Sequence, residues 1–186
     1  MGIRSSATRE LVFENCRIPK ENILSKEGMG FLVAMKTLDK SRPGIGAQAV
    51  GLAQGAIDEC VQYARERHQF DQPIISFQAI QHMLADMVTQ TEAARALVYA
   101  VAKFIDSDPK DVSKASAMAK LYASDVAMKV TVDAVQIMGG YGYMREYPVE
   151  KMMRDAKILQ IYEGTNQIQR NVIGGAIIKE AASKKK

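Results

Sequence analysis

Between Tyr162 and Gly164 stands a lone carboxylate, Glu163, within the stretch Ile158-Leu159-Gln160-Ile161-Tyr162-Glu163-Gly164-Thr165-Asn166-Gln167-Ile168-Gln169-Arg170. Thr165 or Asn166 offers a cap for the apolar-periodic helix that follows. A carboxylate just outside a helix start sits beside unpaired backbone N–H groups, and Gly164 lets another molecule approach the backbone closely. Those residues could house proton-transfer chemistry. Taken alone, a plain helix start is the simpler reading, with Glu163 favoured there by the helix dipole, because such starts are common.

The elements that must position this stretch come from an ordinary globular composition. The chain has 186 residues, 47% hydrophobic and 25% charged, which allows one sizeable core and excludes disordered and fibrous classes. The formal charge of +4 includes the terminal Lys184-Lys185-Lys186, which read as a solvated tail. No basic stripe carries interleaved aromatics, so nucleic acid is not an expected partner. Cys16 and Cys60 lie far apart, suggesting neither a disulfide framework nor a metal knuckle, and a reducing compartment fits. No apolar run reaches membrane-spanning length, and no membrane partner is expected.

Residues 1–25 differ from the rest. Leu11-Val12-Phe13 is β-prone, and Cys16-Arg17-Ile18-Pro19 ends another extended piece, because the residue before proline avoids helix. One or two strands cannot bury a face alone, so this segment is expected to pair with chain beyond this sequence or to lie against helices. From about Gly28 the period is helical through Phe31, Met35 and Leu38, and Pro43 is expected to kink or interrupt the helix. Periodicity resumes to Tyr63, with Ala47, Ala49, Gly51, Ala53, Gly55 and Ala56 permitting close packing. Asp71-Gln72-Pro73 breaks the chain before an amphipathic run from 78 to 106 that carries Ile80, Leu84, Met87, Thr91, Ala94, Val98, Val101 and Ile105. At 1.5 Å per residue this helix is about 40 Å long, which suits a bundle. Asp111 or Ser113 can cap the next helix, which runs through Met118, Leu121, Val126, Val130 and Val135 to Met138 and stops at Gly139-Gly140. Pro148 suits the first turn of a short helix through Met152 and Met153. The expected fold is all-α: an up-and-down bundle of long helices over 26–186, preceded by a short β remnant over 1–25. No Glu-x-x-His pair occurs, which argues against a di-iron bundle, and no metal site is expected.

Several stretches together resemble the carboxyl-terminal part of the flavin-dependent acyl-CoA dehydrogenases. They are Met1-Gly2-Ile3-Arg4-Ser5-Ser6-Ala7-Thr8 with Leu11-Val12-Phe13-Glu14, then Leu38-Asp39-Lys40-Ser41-Arg42, Arg65-Glu66-Arg67-His68-Gln69-Phe70, Gln136-Ile137-Met138-Gly139-Gly140-Tyr141-Gly142, and Ile161 through Arg170. The likeness covers essentially the whole chain except the lysine tail, and five motifs in the family's order make coincidence improbable. It implies that residues 1–25 are the end of a β-domain and 26–186 the carboxyl-terminal helical domain, and that the preceding domains of the family are missing. On that reading the isolated chain is expected to show little turnover.

The resemblance implies FAD-dependent α,β-dehydrogenation of a short-chain acyl-CoA to a trans-2-enoyl-CoA. Glu163 is then the base that takes the α-proton while the β-hydride passes to flavin. Some members of the family place that glutamate at the position of Ser41, and serine there groups this chain with the short- and medium-chain straight-acyl type, most like butyryl-CoA dehydrogenases. Arg67, Gln69 and Phe70 match residues that meet FAD from a neighbouring subunit; Gln136, Gly139 and Gly140 match a second FAD contact; Thr165 and Gln167 match residues near the flavin. Arg42, Tyr162 and Gly164 match substrate-side positions. Helix capping accounts equally for Gly139, Gly140 and Thr165, and a helix-end cation for Arg67. Implied partners are acyl-CoA, an electron-transferring flavoprotein and further copies of the chain, a dimer of dimers in the family. The implied place is the bacterial cytoplasm, with the mitochondrial matrix left open. Two alternatives stay open: a non-catalytic helical oligomerisation module, and an enoyl-CoA reductase running the reaction in the opposite direction.

Overall fold

The computed structural model describes residues 1–184. Five helices make up the bundle: α1 (Gly30–Glu66), α2 (Gln78–Asp106), α3 (Ser113–Met138), α4 (Val149–Leu159) and α5 (Asn166–Ser183). Between α1 and α2 lie two short antiparallel strands, β1 (His68–Gln69) and β2 (Gln72–Pro73), in register His68 to Pro73 and Gln69 to Gln72. The expected all-α bundle is therefore the observed one, but its two-strand piece stands at 68–73. Leu11, Val12 and Phe13 form no strand and are 70–79% exposed, because a β-prone run without a partner edge has nothing to complete its ladder.

The amphipathic run from 78 to 106 folds as α2 with those bounds, and Leu84, Met87, Thr91, Ala94, Val98 and Val101 form its buried face at alternating three- and four-residue steps. Pro43 does not interrupt α1, which is continuous through it. A proline inside a helix removes one backbone donor. Pro43 is itself buried, and α1 packs against both α2 and α3, so tertiary burial outweighs the lost bond.

The buried face of α3 also departs from expectation. Met118 is 38% exposed, whereas Ala117, Ala119, Ala123, Ala127 and Ala134 are fully or almost fully buried. The reason is distance. α1 and α3 form the most extensive helix pair, and α1 brings its own buried Ala49, Ala53 and Ala56 to the core. Small residues on both partners let the axes approach, so the small-residue row becomes the inner face and the larger Met118 turns outward. Gly46 of α1 shows how tight this is: a Cβ there would stand 2.9 Å from Val98 Cγ2 and 3.4 Å from the Ala119 carbonyl oxygen.

Helix ends follow from local chemistry. Asp111 Oδ1 accepts from the Ser113 N–H at 2.8 Å at the start of α3, Gly139 ends that helix with φ 60°, and Met152 N–H donates to the Pro148 carbonyl in the first turn of α4. The amino-terminal segment is pinned to α4, where Ile3 N–H donates to Asp155 Oδ1 at 2.6 Å and Arg154 Nη1 to the Met1 carbonyl at 2.6 Å. Asp155 also pairs with Lys151. Among the described residues no helix is long and apolar enough to cross a membrane.

Candidate active site

α4 ends at Leu159 and α5 begins at Asn166, and the six residues between them turn the chain over the middle of α3. Glu163 lies in this turn with φ 53° and Gly164 follows with φ 89°, so two consecutive residues occupy the left-handed region. Gly164 tolerates it; Glu163, as a non-glycine residue, is strained by about 1–3 kcal/mol. Thr165 is the N-cap of α5, its Oγ1 accepting from the Ile168 N–H at 3.3 Å, and Gln167 is exposed on the first turn.

The Glu163 carboxylate is half-buried, and Ser41 Oγ of α1 donates to its Oε2 at 2.6 Å. The fold thus places side by side Ser41 and Glu163, the two positions to which the resemblance assigns a glutamate in one member or another. Tyr162 donates its hydroxyl to Gln48 Oε1 of α1 at 2.6 Å, and desolvation raises its phenol above the ordinary value despite that bond. Arg42, matched to the substrate side, is 4% exposed and directed inward. Its Nη1 meets Asp39 Oδ1 at 2.5 Å and its Nε reaches the Glu163 carbonyl at 3.4 Å.

Below the turn is a polar network that the sequence reading missed. Gln169 Nε2 donates to the carbonyls of Glu163 at 3.3 Å and Gly164 at 2.9 Å. Lys120 Nζ donates to the Gly164 carbonyl at 2.9 Å and to Asn166 Oδ1 at 2.8 Å. Asn166 Nδ2 in turn donates to Ser124 Oγ at 2.9 Å and Asp125 Oδ1 at 2.7 Å, and Arg170 Nη2 reaches Asp125 Oδ2 at 3.0 Å. A signal for Lys120 was available: it interrupts an alanine row at helical spacing, where a solvated cation does not belong.

The second group of matched residues gathers at the far end of α1. Arg67 caps that helix, Gln69 is the last residue of β1, and Gly139 and Gly140 follow α3; together with Tyr63, Tyr141 and Met144 they line an open cavity of about 580 Å³. The Arg67 guanidinium stands 5.5 Å from the Tyr141 ring centre. Tyr63, Tyr141 and Tyr147 cluster with centroids 5.4–6.3 Å apart, Tyr147 meeting both of the others edge-to-face and Tyr63 tilted against Tyr141. Phe70 does not line the cavity. It sits at the tip of the hairpin with Asp71, both at positive φ as a type I′ turn requires, and its ring is 87% exposed beside Phe77. Gln136 is exposed on the last turn of α3. A guanidinium, glycine backbone with open space where a Cβ would go, and an aromatic wall fit a phosphate-bearing group with an aromatic base.

From Arg42 to Arg67 the rise along α1 is about 37 Å, so the two groups form separate sites on one chain. The Glu163 site can take up a proton at a strained, braced carboxylate; the Arg67 cavity can only bind.

Comparison with known proteins bears on the family and the fold. A family profile described as "Acyl-CoA dehydrogenase, C-terminal domain" matches residues 28–178. A probable acyl-CoA dehydrogenase of Mycobacterium tuberculosis, FadE25, is 55% identical over 179 residues, covering 96% of this chain and 46% of that protein. The structure of butyryl-CoA dehydrogenase from Megasphaera elsdenii superposes with a TM-score of 0.87 at 53% identity, over 90% of this chain and 43% of that one. A Bacillus anthracis acyl-CoA dehydrogenase solved in complex with FAD gives a TM-score of 0.91 at 35% identity, over 99% of this chain and 35% of that one. The chain therefore spans less than half the length of the relatives it matches. On sequence and fold together, this chain belongs to the acyl-CoA dehydrogenases, a family of flavoprotein oxidoreductases, and is closely related to their short-chain and butyryl-CoA type.

Proposed function

We propose that this chain supplies the base-bearing half of an FAD-dependent site that dehydrogenates a short-chain acyl-CoA to its trans-2-enoyl form. The observation that carries the proposal is Glu163 on its strained turn, held from below through its backbone, with its carboxylate engaged by Ser41. A thioester α-proton is too weakly acidic for a carboxylate unless the site stabilises the developing enolate oxygen. By resemblance to the family, the backbone N–H of Glu163 would be a donor for that, in a turn whose φ at Glu163 is 53°. Gly164 keeps a side chain away from the approach. FAD, when bound, supplies the hydride acceptor. Arg67, Gln69, Gly139 and Gly140 would hold one copy's FAD through its phosphates and adenine, while Thr165, Gln167 and Tyr162 would stand near the flavin of another.

The separation of about 37 Å along α1 supports this division, since one chain's Arg67 cavity lies far from its own Glu163. On this reading the working unit is an oligomer and the electron acceptor is an electron-transferring flavoprotein. Residues 1–25 are read as the end of a β-domain, with 26–186 as the helical domain.

The test is a chimera in which this chain replaces the matching part of the Megasphaera elsdenii enzyme. Loaded with FAD and mixed anaerobically with butyryl-CoA, it should bleach at the flavin band. Glu163→Gln should slow that bleaching by about 10²–10⁴-fold while leaving FAD retention unchanged. Equal rates with and without the Glu163 carboxylate would remove it as the base.

A further inference from the structure

Lys120 is the largest of the fully buried side chains among the described residues, at 0% exposure. A buried ammonium is costly unless its protons are taken up, and replacing such a group by an apolar one of similar size is often neutral or stabilising. Around it the buried face of α3 carries Ala117, Ala119, Ala123 and Ala127 with the hydroxyls of Ser116, Ser124 and Thr131, so Lys120 is the one charged side chain among the buried residues of that helix. Its acceptors are neutral ones, the Gly164 carbonyl at 2.9 Å and Asn166 Oδ1 at 2.8 Å. Stability alone does not call for a lysine here; what it holds does.

It holds the turn. The Gly164 carbonyl accepts from Lys120 and Gln169, and the Glu163 carbonyl from Arg42 and Gln169, so three side chains from α1, α3 and α5 draw two successive carbonyls inward. In a trans peptide the carbonyl and the following N–H point in opposite directions, and no peptide bond here is cis. The Gly164 and Thr165 N–H groups consequently face away from the donors that hold the two carbonyls. The strained φ at Glu163 persists only where its surroundings over-determine it, and these donors do so. Gln169 Oε1, buried with no partner among the described residues, is the cost of keeping the amide nitrogen turned to the carbonyls.

We infer that Lys120 is a positioning residue for Glu163: its ammonium, seated under the Gly164 carbonyl, fixes the turn that presents the carboxylate. This rests on the reading of Glu163 as the base, but the geometry of the hold does not. The groups facing Lys120 are Arg42 from α1, Ser124 and Asp125 on α3, Glu163 in the turn, and Asn166 and Gln169 from α5. Burial pushes the lysine pKa down to about 8; Asp125 and Glu163 pull it back up and Arg42 adds to the fall.

The test reads the turn directly in the purified chain. Glycine is labelled with ¹⁵N, glutamate with ¹³C at the carboxyl and lysine with ¹⁵N, and spectra are followed from about pH 6 to 11. The Gly164 amide and the Glu163 carboxyl carbon should both move with the Lys120 Nζ signal, along a one-proton curve centred near 8. In K120M that curve should vanish and both resonances should stand at new positions, while Gly142, in the short turn beyond the carboxyl end of α3, keeps its wild-type shift. A merely structural lysine would shift Gly142 along with the turn or leave Gly164 and Glu163 untouched; either result overturns the inference, as does persistence of the curve in K120M. If K120M does not fold, the wild-type titration decides, and Gly164 or Glu163 midpoints that fail to coincide with that of Lys120 overturn it. No flavin or acyl-CoA is used, so failure of the dehydrogenase assay and failure of this hold are told apart.

Discussion

At the scale of residues, the turn at 160–165 holds Glu163 at a left-handed φ with its carboxylate against Ser41. Glu163 was legible in the sequence because its neighbours carry the signature, Gly164 behind it and a capping threonine two residues on. Lys120 and Gln169 were less legible: Lys120 belongs to no motif and Gln169 stands in the quoted stretch with no role attached, and only folding brings both to the Gly164 carbonyl. Gly164 is the residue on which this arrangement depends most narrowly. Its φ of 89° disfavours any side chain, and a Cβ would come within 2.7 Å of Gln169 Nε2. Gly164→Ala should therefore lower stability by about 1–3 kcal/mol. In urea denaturation this appears as a lower midpoint with an unchanged slope.

At the scale of elements, the bundle rests on how closely α1 and α3 approach. The small residues of α1 pointed to close packing from the sequence alone, but the partner row on α3 did not stand out, because alanine satisfies a helical pattern on either face. Large apolar residues such as Met118 drew attention to the wrong face; the neighbouring helix decided which face was inner. Ala127 is fully buried in that row. Ala127→Leu inserts methylene groups where the axes leave no room, and should cost about 1–3 kcal/mol by the same denaturation measurement, with helicity retained. The continuity of α1 through Pro43 follows the same logic: one missing donor counts for less than a helix flank packed on two neighbours.

At the scale of the whole molecule, burial of a cation in a small-residue core makes stability depend on pH in an identifiable direction. Lys120 has a folded pKa near 8 against about 10.4 in an unfolded chain. Between those values the unfolded state binds more protons, so this group's contribution to stability rises with pH across that window and is flat below about 8. Cys60 works in the opposite sense, its thiol pushed up to about 12 chiefly by burial, with Glu59 and Asp133 adding to the rise. The comparison that isolates Lys120 is the wild type against K120M, in which the Cys60 contribution is common to both. The difference in unfolding free energy should grow in favour of the wild type from about pH 8 to pH 10. Arg42 beside the Glu163 turn and Arg67 at the other cavity, about 37 Å apart along α1, set the remaining whole-molecule property: on the proposed reading, a site that needs both draws them from different copies.

By itself the sequence determined the helical class, the bounds of α2, the stop at Gly139, the helix start at Pro148, and the family through its five motifs. These are local or periodic properties, carried by spacing along the chain and readable without knowing what lies across from it. Tertiary structure alone decided that Leu11-Val12-Phe13 has no ladder, that Pro43 is absorbed, that Arg42 turns inward to Asp39, and that Ser41 meets Glu163 across 122 intervening steps of sequence. Each of these depends on which surfaces are close enough to share a hydrogen bond or exclude water. That proximity is fixed only when the helices pack, because burial converts a weak local preference into a committed contact.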